Sequence, residues 1–105
     1  MYNHFYKLSE EDYATLAEKI RESLMTPCYF TGSVECEGAQ GERLHLVASL
    51  ILYRKPVTNP VGNESCSTIY EVSAVWWDFV CEGEDGNIED DFDFDKLCNF
   101  IIDRA

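Results

Sequence analysis

The sequence predicts an α+β fold: an antiparallel sheet of three strands, extendable to four, with both helices packed on one face. Three observations predict it. An apolar stripe at helical spacing lies near the start of the chain, formed by Tyr13, Leu16, Ala17, Ile20 and Leu24. Stretches that alternate with period two follow, separated by glycine- or proline-bearing connections. A second helical stripe, Phe94, Leu97, Cys98 and Ile101, closes the chain. The resulting order is α-β-β-β-α, and its run of strands flanked by helices fits a sheet covered on one side.

The first helix starts at Ser9, a residue type that caps helix N-termini, and Asp12 three residues on supplies a weaker form of the capping box. Leu8 and Tyr13 are spaced as a hydrophobic staple. Glu10, Glu11 and Asp12 fall in the first turn, where the helix dipole favours negative charge. Pro27 ends the helical pattern and biases Thr26 toward extended backbone.

The first strand, Cys28 to Glu37, puts Phe30, Val34 and Cys36 on one face and Tyr29, Thr31, Ser33 and Glu35 on the other. Gly38-Ala39-Gln40-Gly41 reads as a hairpin connection, because glycine supplies the positive φ such turns need. The second strand, Arg43 to Arg54, has a core face of Leu44, Leu46, Ala48, Leu50 and Leu52. Its other face carries His45, Val47, Ser49, Ile51 and Tyr53. Pro56 to Ser65 reads as a polar loop.

The third strand, Ser67 to Val80, places Tyr70, Val72, Ala74 and Trp76 on one face. Glu71, Ser73, Val75, Trp77 and Phe79 fall on the other, and a bulge near Trp76 and Trp77 would change that register. Asp85-Gly86-Asn87 is a turn signal that can close a short fourth strand around Ile88. Asp93 is placed as the N-cap of the last helix.

The element order resembles that of double-stranded-RNA-binding domains, whose last helix begins with phosphate-gripping lysines. The matching stretch here, Asp91-Phe92-Asp93-Phe94-Asp95, has the opposite sign. The comparison therefore argues against RNA binding.

A chain of 105 residues makes one small acidic domain spanning 1–105. Hydrophobic residues at 46% give it enough material for a core. Twenty acids against eight bases leave a net charge of −12. That charge repels phosphate backbones and anionic membrane surfaces, so nucleic acid and membrane are excluded as partners. The partners it favours are basic proteins or cations. Leu44 to Tyr53, the longest apolar stretch, is short of the ~18–20 residues of a membrane helix, and Met1 to Lys7 does not read as a secretory leader. The expected location is cytoplasmic.

Cys28, Cys36, Cys66, Cys81 and Cys98 are odd in number and lack a Cys-x-x-Cys spacing, which fits a reducing compartment. Cys28 and Cys36 share a strand face about 26 Å apart at ~3.3 Å per residue, too far to share a metal. Zinc ligands are closely paired, so these cysteines read as small buried hydrophobes. The histidines are His4, near the terminus, and His45, on the strand face opposite the leucines. No spacing ties either to a cysteine nucleophile, and no phosphate-loop, Gly-x-Ser-x-Gly or His-Glu-x-x-His pattern occurs. No cofactor and no catalytic residue is expected.

Two surfaces remain as candidates. Glu82, Glu84, Asp85, Glu89, Asp90, Asp91, Asp93 and Asp95 fall close together with no base before Lys96. They read as a solvated loop and helix start, as a surface for a basic partner, or as a weak, irregular divalent-cation site. An EF-hand is excluded: with Gly86 at the invariant glycine, Cys81 and Phe92 would occupy the first and last ligand positions. The second surface is the sheet face opposite the helices, read as Tyr29, Val47, Ile51, Tyr53, Val75, Trp77 and Phe79. So much apolar surface is covered by another element or marks an interface.

The leading functional expectation is a non-enzymatic protein-interaction domain, with self-association through that aromatic face as one form. The second is an acidic regulator that imitates nucleic acid and binds a basic protein. The third is a small-ligand binder or enzyme with no recognisable motif.

Overall fold

Strand pairing puts residues near the start of the chain, Phe5 and Tyr6, at one edge of the sheet beside Glu89 and Asp90. The computed structural model describes residues 5–24, 26–38, 41–58, 65–84 and 86–102. Its elements are β1 (Phe5–Tyr6), α1 (Glu10–Glu22), β2 (Tyr29–Glu37), β3 (Arg43–Thr58), β4 (Ser65–Gly83), β5 (Gly86–Asp90) and α2 (Phe94–Ile101). His4, Asp85 and the 59–64 stretch of the expected polar loop lie outside the described residues.

The α+β class holds, but the sheet differs from expectation. It has five strands in the order β1-β5-β4-β3-β2, and β1 runs parallel to β5. The sheet is therefore mixed, not a three- or four-stranded antiparallel one. The two-residue strand β1 is too short to show any periodicity in sequence. It is fixed from outside, by pairing with Glu89 and Asp90 and by a bond from Asp91 N to Tyr6 O at 3.3 Å. The element order also departs from that of the RNA-binding domains.

Helix α1 ends at Glu22, with Ser23 as its C-cap, four residues before Pro27. Its start is a complete capping box: Ser9 Oγ accepts from Asp12 N, and Asp12 Oδ2 accepts from Ser9 N at 3.0 Å. Tyr6 OH donates to the same oxygen at 2.6 Å. Asp12 is buried, and these donors satisfy its carboxylate while tying β1 to α1.

Leu16, Ile20, Leu97 and Ile101 from the helices join Phe30, Val34, Leu44, Leu46, Ala48, Leu50 and Leu52 in one core. Both helices thus cover the leucine face. Arg21 and Ile101 O link α1 to the end of α2.

β3 and β4 form a long hairpin. β3 runs on through Pro56 to Thr58, beyond the end expected at Arg54, and β4 spans 19 residues. Pro56 is tolerated because β2 stops pairing at Ile51, leaving this part of β3 on an open edge. The pairing shifts register twice, between Ser49 and Leu50 and between Tyr53 and Arg54. Each shift inserts one extra residue in β4, Val75 and Tyr70 respectively.

Candidate interaction surface

Directly opposed residues in an antiparallel ladder point to the same face. The Val75 bulge therefore decides where the tryptophans go. Trp77 opposes Ala48, Phe79 opposes Leu46 and Cys81 opposes Leu44, all on the helix side. Trp76 opposes Ser49 and points to the open side. This corrects the assignment of Trp77 and Phe79 to the second face. Strict alternation from Tyr70 carries the wrong parity past the bulge.

On the helix side these rings join an aromatic cluster. Phe79 stacks on Phe92 with centroids 4.2 Å apart and planes at 7°. Trp77 stacks on Phe94 at 5.3 Å and 7°, and also meets Phe92 at 5.3 Å. Tyr13 packs against Phe92 at 5.9 Å and Phe100 at 6.0 Å, with Lys96 Nζ 5.2 Å above its ring. Tyr13 OH accepts from Asp93 N at 3.0 Å and donates to Asp91 O at 3.4 Å. Burial, the largest cause, and the nearby carboxylates of Asp90, Asp91 and Asp93 push the Tyr13 hydroxyl pKa up.

The acidic segment divides into structural and free carboxylates. Asp90 Oδ1 accepts from Phe92 N at 2.9 Å, and Asp91 Oδ1 accepts from Leu8 N at 2.8 Å. Asp93 Oδ1 caps α2 through Asp95 N and Lys96 N. Burial raises the Asp90 pKa, opposed by the Phe92 amide and assisted by Asp91. Glu82, Glu84, Glu89 and Asp95 are exposed. Among the described residues no group of three or more His, Cys, Asp or Glu side chains is placed to hold a metal ion.

The open face is built from three strands. Tyr29 opposes Ile51, which opposes Ser73; Thr31 opposes Ser49, which opposes Trp76; Ser33 opposes Val47, which opposes Asp78. Thr31 and Ser49 share a hydrogen bond at 2.9 Å. Tyr53 lies two residues beyond Ile51 on the same face, and its ring meets that of Tyr70 at 6.4 Å. Lys55 Nζ sits 6.0 Å from the Tyr70 centroid. No described element covers these residues: Tyr29 is 37% exposed, Ile51 36% and Trp76 50%. The uncovered patch thus comprises Tyr29, Ile51, Tyr53, Tyr70 and Trp76, with Val47 half-buried beside it. Glu35, Glu71 and Asp78 frame it on the same face.

Among the described residues the cysteines and His45 do not converge. His45 lies on the open side, its Nε2 3.9 Å from Glu35 Oε1. Cys36 opposes Leu44 on the helix side. Burial pushes the Cys36 thiol up to about 11, with Asp12 adding to it. Burial likewise raises Cys81 and Cys98 to about 11, assisted by Asp90 and Asp95 respectively. Such thiols stay protonated near neutral pH. Cys28 is exposed, and the side chain of Cys66 lies outside the described residues.

Two depressions flank β2. One, of about 320 Å³, is lined by Glu35, Cys36, Glu37, Gly41, Glu42 and Arg43. The other, of about 510 Å³, lies between the end of α1 and Ser33, Val34 and Glu35. No described helix is long and apolar enough to cross a membrane. No family model, curated protein or solved structure matches the chain.

Proposed function

We propose that this chain is a non-enzymatic protein-interaction domain that docks a basic protein on the open face of its sheet. The uncovered patch of Tyr29, Ile51, Tyr53, Tyr70 and Trp76, framed by acids, carries this reading. Aromatic side chains supply large contact area at small entropic cost, and flanking charges steer the encounter. A net charge of −12 favours a basic partner over a second copy, which would bring the same charge to the interface. The acidic-regulator reading keeps a surface of its own, on which Glu82, Glu84, Glu89 and Asp95 are exposed and would meet the same class of basic partner.

The test is capture from native extract with wild type and with Ile51→Lys, at low and high salt. Ile51→Lys should lose a partner that wild type retains, and high salt should weaken that capture. Identical capture by both proteins would reject the reading. Sedimentation at micromolar concentration separates the alternative: a dimer dispersed by Ile51→Lys would point to self-association through the same face.

A further inference from the structure

Strand β4 has a bare edge. β5 runs alongside it only through Cys81–Gly83, and from Glu71 to Asp78 no described strand lies on that side. Backbone N–H and C=O groups along such an edge are a template for another strand. The side chains there are unusual for an edge. Trp76 and Trp77 are consecutive yet point to opposite faces, and they are 50% and 41% exposed. The bulged Val75 beside them is 63% exposed. Trp77 lies flat on Phe94, so its ring is held in place before anything binds.

The other long edge is different. Tyr29–Glu37 of β2 is also free on one side, but its helix-side residues Phe30 and Val34 are buried. Tyr29 is its only exposed large hydrophobic residue. It offers backbone with little side-chain surface.

Charge selects the occupant. Glu71 and Asp78 lie on the open side of the β4 edge, and Asp93 and Asp95 are exposed at the start of α2, near Trp77. Acids on an edge guard against pairing with a second copy, because like charges would oppose one another. A lysine- or arginine-bearing strand reverses that sign. We propose that the β4 edge from Glu71 to Asp78 accepts an extended segment of a basic partner protein as a sixth strand. Trp76 packs against one face of that segment and Trp77 against the other. This rests on the protein-interaction reading and adds its mode: main-chain bonds give affinity, and the two rings select alternate side chains.

The probe is a synthetic peptide of about ten residues alternating lysine with valine, compared with its N-methylated form and with a glutamate version. Added to the full chain at low salt, it should bind tighter than about 1 mM and slow amide exchange within Glu71–Asp78 by about tenfold or more. Both indole N–H resonances should shift, and N-methylation or glutamate should abolish binding. Protection confined to Tyr29–Glu37, no binding by about 1 mM, or equal binding of the N-methylated peptide would overturn the inference. If the N-methylated peptide still moves Tyr29 and Ile51 resonances, docking on the open face stands while strand addition fails. If β4 protection persists in Ile51→Lys, strand addition stands without the open face.

Discussion

Asp93 and Asp95 sit two residues apart at the start of α2, yet their environments differ. Asp93 Oδ1 accepts two backbone amides of the first turn, while Asp95 is exposed in that turn, where the helix dipole favours its charge. Asp93→Ala should therefore cost about 1 kcal/mol of stability, and Asp95→Ala about 0.3 kcal/mol. Urea denaturation of both variants checks this, and equal losses would contradict the division of the acidic run. The same division limits what charge counting reveals. Asp90, Asp91 and Asp93 look like a binding surface in sequence, but each accepts a backbone amide. The Ser9–Asp12 box was readable because capping depends on local spacing alone. The bond from Leu8 N to Asp91 was not, since 83 positions separate its partners.

At the scale of elements, the Val75 bulge has the largest consequence. It places Trp77 against Phe94 and leaves Trp76 on the open face. Trp77→Lys should cost about 2 kcal/mol through lost stacking and burial, whereas Trp76→Lys should stay within about 0.5 kcal/mol. The ordering of their urea midpoints decides the matter: were Trp76→Lys the worse, the faces would be reversed. The leucine face of β3 was legible because every second residue from Leu44 to Leu52 is apolar and buried. β4 was legible only as a strand. A bulge inverts parity without altering composition, so its sequence fits either assignment near Trp76 and Trp77. Three of the five large members of the open-face patch are therefore legible in sequence: Tyr29, Ile51 and Tyr53 keep their face, while Trp76 and Tyr70 replace Trp77 and Phe79.

At the scale of the molecule, shape and charge act together. A compact chain of this length has a radius of gyration of about 13 Å. This one has 16.0 Å, with a longest extent of 62 Å, because the β3–β4 hairpin continues past the end of β2. An elongated form spreads its charge, but a net −12 still opposes folding by self-repulsion. The screening length falls from about 10 Å at 0.1 M salt to about 3 Å at 1 M. Sodium chloride should therefore stabilise the fold. A gain of about 1 kcal/mol would raise the melting temperature by about 4–8 °C for a domain of this size. Thermal melts followed by circular dichroism across that salt range provide the measurement. A flat or falling melting temperature would mean that the carboxylates are already balanced locally. That result would also remove the electrostatic ground for preferring a basic partner over a second copy. The same titration therefore bears on stability and on the choice of partner, since one field of carboxylates governs both.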